Sequence, residues 1–329
     1  MSFETEQLVQ CELCPKGCIV GPGQSGDCRI RVNRDGIMTA VTYGFPCSLH
    51  VDPMEKKPLY HFLPGTGILS LATVGCNLHC RNCQNWEISQ RNPEDAEVFP
   101  LPPEALPALA RRQGCPSVAY TYTDPAAYYE YALDACRLCR EAGLKNVLVT
   151  AGYIREEPWR ELCRVVDAAN IDLKGMTDEF YRSVCDGTLQ PVLEALVLAK
   201  SLGVEVEVTN LVIPTLNDRD EDLGALVRWV KEHLGAETPL HFSRFHPQYQ
   251  MRHLPPTPEA TLRKAFQLAR AEGLAHVYVG NVDLPEGRHT ICAGCGAVLI
   301  RRSGYVILEN RLQNGQCPEC GKELYGKWN

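Results

Sequence analysis

Three cysteines, Cys76, Cys80 and Cys83, stand in the order C-x3-C-x2-C. Three thiolates are one ligand short of a closed tetrahedral zinc site. They suit a [4Fe-4S] cluster instead, holding three irons and leaving the fourth open to a substrate or cofactor. His79 is the neighbouring candidate for completing a zinc site, but it sits between two of the cysteines in sequence, a cramped position for chelation. A second set, Cys292-x2-Cys295-Gly and Cys317-x2-Cys320-Gly, forms two knuckles of the kind that close around structural zinc, and predicts a zinc ribbon. A third set, Cys11-x2-Cys14-x3-Cys18-x9-Cys28, offers four thiolates at irregular spacing. Zinc and a second iron–sulfur cluster both accept four thiolates, and zinc is favoured there by a narrow margin.

These sets hold eleven of the chain's seventeen cysteines. Cys47, Cys115, Cys136, Cys139, Cys163 and Cys185 are left over, and four of them fall in or beside apolar helical stretches, where cysteine is a small buried hydrophobe. Cys136 and Cys139 are formally a CxxC pair, but they have no partner pair and read as core. The elements around the central set alternate short apolar runs with amphipathic stretches. Strands are expected at 69–74, 117–122, 146–150, 169–173, 205–213, 240–243 and 276–280. Helices fall between them at 103–113, 126–141, 157–166, 188–202, 220–234 and 258–272. That alternation predicts an α/β fold with a parallel sheet, either open or curved into a full or partial barrel. In such folds chemistry gathers at the carboxyl ends of strands. Here those ends carry Gly75-Cys76, Thr121-Tyr122-Thr123-Asp124-Pro125, Thr150, Asp172-Leu173-Lys174, Thr209-Asn210 and Arg244-Phe245-His246-Pro247. Asp172 and Lys174 taken alone read as an exposed ion pair. Glu205, Glu207 and Thr209 share one strand face, and a buried Glu207 would need a partner such as Lys174. His246 is as readily structural as substrate-facing. Three segments follow: a Cys-rich N-terminal metal-binding module over 1–48, a barrel over 49–285 entered through a connector at 52–58, and a zinc-ribbon-like module over 286–329.

A C-x3-C-x2-C loop after the first strand of such a sheet resembles the radical S-adenosylmethionine (radical SAM) superfamily. The likeness extends along the chain through Cys11-x2-Cys14-Pro, Asp52-Pro-Met-Glu-Lys-Lys-Pro58, His61-Phe-Leu-Pro-Gly65, Gly75-Cys-Asn-Leu78, Cys83-Gln-Asn-Trp86, Asn170-Ile-Asp-Leu-Lys174, Glu207-Val-Thr-Asn-Leu211, Arg244-Phe-His-Pro247 and Tyr278-Val-Gly-Asn281. Together these are similar to the radical SAM member of the AmmeMemoRadiSam system, close to the pyruvate formate-lyase activating enzymes. The resemblance implies a partial TIM-like (β/α) barrel and a [4Fe-4S] cluster on Cys76, Cys80 and Cys83. It also implies S-adenosylmethionine (AdoMet) on the open iron, cleaved reductively to a 5′-deoxyadenosyl radical that abstracts hydrogen. Tyr122, Thr123, Asp124 and Pro125 match the segment whose backbone meets the AdoMet amino group, and Thr150, Asp172 and Lys174 match residues lining that site. Asn82 stands where the superfamily commonly has an aromatic, and Asp124 is shorter than the glutamate often found at its position. The nearest alternative is activation of a glycyl radical enzyme; one from another class is a non-catalytic metal-binding interaction module.

With 33 Lys+Arg against 40 Asp+Glu the chain carries a formal charge of −7. Generic binding to nucleic acid or an anionic membrane is therefore not expected. No stretch approaches the ~18 apolar residues of a membrane span, and the polar start lacks a signal-peptide core. Clustered cysteines in a chain of this kind point to metal in a reducing, cytoplasmic setting rather than to disulfides. The family association implies Memo-like and AMMECR-like proteins as partners and a ferredoxin or flavodoxin as electron donor.

Overall fold

The computed structural model describes residues 7–328. Its centre is one open sheet of eight strands in sequential order: β1 (Ser48–Pro53), β2 (Gly67–Ala72), β3 (Ser117–Tyr120), β4 (Lys145–Thr150), β5 (Ala168–Asp172), β6 (Glu205–Val212), β7 (Leu240–Arg244) and β8 (Val277–Gly280). β2 to β8 are parallel, each beside its predecessor, and β1 runs antiparallel along the edge of β2. Helices α1 (Leu106–Arg112), α2 (Tyr129–Glu141), α3 (Glu156–Cys163), α4 (Gln190–Ser201), α5 (Asp220–Leu234) and α6 (Glu259–Ala271) make the crossovers. This is the expected α/β partial barrel. Strands such as Val118, Ala119 and Tyr120 are buried on both faces, as parallel strands covered by helices must be. Cys136 and Cys139 lie on the inner face of α2, fully buried in the core, as expected of small hydrophobes.

Two elements depart from expectation. The stretch read as a connector from residue 52 begins inside β1 and continues into a 3-10 turn at Met54–Lys56. Its charges hid it, because they are inward: Asp52 is buried and accepts from Lys57 at 2.7 Å and Lys56 at 2.8 Å. The N-terminal segment, where no strand is expected from sequence, contains two short hairpins, Val9–Gln10 with Ile19–Val20 and Arg31–Arg34 with Ile37–Ala40. Strands of two to four residues leave too little alternation to be seen in sequence.

The C-terminal segment forms a three-stranded sheet (Thr290–Ile291, Val298–Ser303, Val306–Asn310) and closes the barrel at the amino ends of its strands. Lys327 Nζ donates to the carbonyl of Asp167 at 2.7 Å, and Val206 N donates to Tyr325 Oη at 2.9 Å. Arg302 enters the barrel, donating to Tyr60 O at 2.9 Å and stacking over the Tyr60 ring 4.1 Å from its centre. Glu207 lies in this closed end. Its expected partner Lys174 is at the other end of the sheet; it accepts instead from His61 N at 2.7 Å and pairs with His241 Nε2 at 2.5 Å. Burial pushes Glu207 up to about 8 and His241 down to about 3, so the two are held as a neutral hydrogen-bonded couple.

Candidate active site

Cys76, Cys80 and Cys83 occupy the loop that leaves the carboxyl end of β2. Four backbone contacts fix this loop. Gly75 N donates to Ile88 O at 3.0 Å, His79 N to Cys185 O at 3.0 Å, Arg81 N to Val184 O at 2.8 Å, and Gln250 N to Arg81 O at 3.1 Å. Gly75 has φ +88°, and a Cβ there would stand 2.5 Å from Ile30 Cγ2 and 2.7 Å from the carbonyl oxygen of Cys28. The N-terminal module thus packs directly on the cysteine loop. Gly75→Ala is expected to cost about 1–3 kcal/mol through overpacking and backbone strain, read as a lower urea midpoint at unchanged slope.

Burial raises the thiols of Cys76 and Cys83, and a contact with Cys185 and burial raise that of Cys80. A bound cation would reverse that preference. His79 is turned away from the thiols, with Nδ1 2.7 Å from Gln90 and Nε2 2.8 Å from Asp27. A zinc site completed by His79 is therefore not formed. Cys185, in a π-helical turn at Tyr181–Cys185, is fully buried behind Cys80. Its position had no sequence signal, being a lone cysteine far along the chain.

The other expected residues converge on the same rim. Asp124, 5 % exposed, accepts from Ala126 N at 2.9 Å, Ala151 N at 2.7 Å and Thr150 Oγ1 at 3.1 Å. Its side chain is consumed in clamping the ends of β3 and β4, which fixes the backbone of Tyr122 to Pro125. Tyr122 has φ +62°; its hydroxyl donates to Asp52, and Lys57 Nζ sits 4.4 Å over its ring. Asp52 and Lys57 form a buried ion pair that anchors the Tyr122 hydroxyl below the rim, and burial lowers Lys57 to about 8 despite Asp52. Lys174 Nζ donates to Asp172 at 2.6 Å. Burial alone would lower Lys174, but the neighbouring Asp172 carboxylate holds its ammonium charged. Asn82 Oδ1 and Thr209 Oγ1 are buried with no partner among the described residues, and Thr209 lies opposite Asp172 in the sheet. Three thiols, a held cation and unpartnered polar atoms suit a cluster with a polar, zwitterionic ligand on it. His246, two residues past the end of β7, is exposed.

At the far end of the chain Cys292, Cys295, Cys317 and Cys320 lie within 4.8 Å of one another, a four-cysteine group that fits a zinc ribbon.

Residues 70–229 match the family model described as the radical SAM superfamily. A protein of Methanocaldococcus jannaschii, described as uncharacterized protein MJ0808, is 48 % identical over 97 % of this chain and 96 % of its own length. A pyruvate formate-lyase-activating enzyme of Clostridium pasteurianum is 26 % identical over 51 % of this chain and 71 % of its own. Among solved structures, a radical SAM methyltransferase from Sphaerobacter thermophilus superposes with a TM-score of 0.51 at 17 % identity, covering 71 % of this chain and 70 % of that one. The chain belongs to the radical SAM superfamily.

Proposed function

We propose that this chain is a radical SAM enzyme in which Cys76, Cys80 and Cys83 hold a [4Fe-4S] cluster with one open iron. The observation that carries the reading is the convergence of those thiols with the Asp172–Lys174 pair on one rim of the sheet. When bound, the cluster and AdoMet supply one-electron cleavage of the sulfonium and a 5′-deoxyadenosyl radical. The protein's part is to bind, orient and exclude water. The Asp124 clamp would present the backbone of Tyr122, Thr123 and Pro125 to the amino group of AdoMet. Thr150, Asp172 and Lys174 would line the rest of its site, with Lys174 the cation available to its carboxylate. Zinc in the ribbon holds the closing end of the barrel together.

The specific reading is the radical SAM member of the AmmeMemoRadiSam system, working in the cytoplasm with Memo-like and AMMECR-like proteins and drawing electrons from a ferredoxin or flavodoxin. No helix among the described residues is long and apolar enough to cross a membrane. A second reading, activation of a glycyl radical enzyme, is favoured by relatives named as pyruvate formate-lyase-activating enzymes. The test is 5′-deoxyadenosine release from AdoMet by anaerobically reconstituted, dithionite-reduced protein, alone and with the two partner proteins added. Release is expected. Fully loaded, reduced protein that releases none under any of these conditions would refute the proposal. A glycyl radical formed on an added enzyme, seen by electron paramagnetic resonance (EPR), would select the second reading.

A further inference from the structure

We infer that Cys11, Cys14, Cys18 and Cys28 hold a second [4Fe-4S] cluster and not a zinc ion. The chain carries its own control for this choice. In the ribbon, Cys292 and Cys320 bring their sulfurs to 3.6 Å, and Cys295 and Cys317 to 3.7 Å. A zinc ion with Zn–S bonds of about 2.3 Å spaces tetrahedral thiolates about 3.8 Å apart, so the ribbon is set for one ion. The N-terminal four have the same ligand chemistry without that closeness: no three of their sulfurs lie mutually within 4.8 Å. They instead surround one cavity. Cys76, Cys80 and Cys83 share the wider spacing. A four-iron cube keeps its terminal thiolates farther apart than a single ion does. The margin that favoured zinc from sequence therefore reverses, because irregular spacing along the chain does not report spacing in space.

A second observation points into the same cavity. Arg31 lines it and is 6 % exposed; its terminal nitrogens bond Glu130 at 2.6 and 2.7 Å, its guanidinium faces the Cys11 thiol, and Nε makes no hydrogen bond of good geometry among the described residues. A buried N–H left without an acceptor is unfavourable. A cluster sulfur would accept it, and the guanidinium would offset the negative charge of four thiolates. Asp27 N already donates to Cys18 Sγ at 3.5 Å. Asn77, the residue after Cys76, lines the cavity too, so one residue separates the two metal sites. There the second cluster takes one electron from an external one-electron donor protein and passes one to the first, ending in the oxidation state in which it began. That role rests on the radical SAM reading; the occupancy does not.

Metal analysis of the reconstituted full chain tests the inference. About eight irons, eight sulfides and one zinc per chain are expected. About four irons with two zincs, or about four irons with one zinc, would overturn it. Cys76→Ala/Cys80→Ala/Cys83→Ala should keep about four irons and, once reduced, give an EPR signal that AdoMet leaves unchanged. An iron-free triple variant that retains its ribbon zinc and its circular dichroism would also overturn it. Cys14→Ser should lose that signal and keep the one AdoMet perturbs. If the second cluster is present and no signal responds to AdoMet, the occupancy stands and the radical SAM reading falls.

Discussion

Arg302→Met is expected to destabilise the protein by about 3–5 kcal/mol, the scale of stripping one partner from a buried charge. Arg302 and Glu55 are both buried, with Nε and Oε1 3.7 Å apart. The pair is not joined end to end by hydrogen bonds. Arg302 donates to Thr290 Oγ1 at 2.8 Å and Tyr60 O, while Glu55 accepts from Gly65 N at 3.0 Å. Burial already raises the Glu55 pKa above its ordinary value, and Arg302 opposes that rise. Without the guanidinium, Glu55 takes up a proton on folding. A carboxyl whose folded pKa lies above its unfolded one contributes stability that is present below the unfolded value and lost as pH rises. The variant's deficit should therefore be smallest below about pH 4.5 and widen toward neutral pH, as read from urea unfolding at several pH values. Arg302→Met/Glu55→Gln should recover much of the loss, because no buried charge remains. A pH-independent deficit that the second substitution does not relieve would mean that Arg302 acts only by filling space.

The ribbon is thus more than an appendage, although nothing in its sequence says where it docks. The knuckles at Cys292 and Cys317 are legible because metal ligation is local in sequence. The insertion of Arg302 under Tyr60 spans 242 residues, and no period or spacing encodes a contact of that kind. The same division holds across the molecule. The seven parallel strands were legible because burial on both faces leaves continuous apolar runs between amphipathic helices. β1 was not, because its charged Asp52 points inward to a lysine five positions on. The convergence of Asp124, Thr150, Asp172 and Lys174 followed from placing polar residues at the ends of parallel strands. What each does there did not follow. The work of Asp124 is visible only in space: its carboxylate lies against the Ala126 and Ala151 amides, where it ties two strand ends together.

Cys76→Ala, Cys80→Ala and Cys83→Ala should each reduce 5′-deoxyadenosine release to the level of a protein-free control, whereas Cys185→Ala should retain most of it. The contrast matters because the structure brings four thiols, not three, to this corner of the sheet. A fourth thiolate ligand would close the cluster and leave no iron for AdoMet. Geometry argues against Cys185 in that role. Its carbonyl accepts from His79 N, which fixes the π-helical turn beneath the loop, and its side chain is fully buried behind Cys80. The three loop cysteines are each partly exposed toward the rim that carries Lys174 and Asp172. Removing Cys185 deletes one small buried side chain from the support of Cys80, a loss of about 1 kcal/mol of packing. Removing a loop cysteine deletes a ligand. Iron content measured beside release separates these effects: the loop variants should lose the iron whose EPR signal AdoMet perturbs, and Cys185→Ala should keep it. If Cys185→Ala instead binds AdoMet more tightly or loses the cluster, Cys185 is a ligand and the open iron does not exist in the unliganded enzyme.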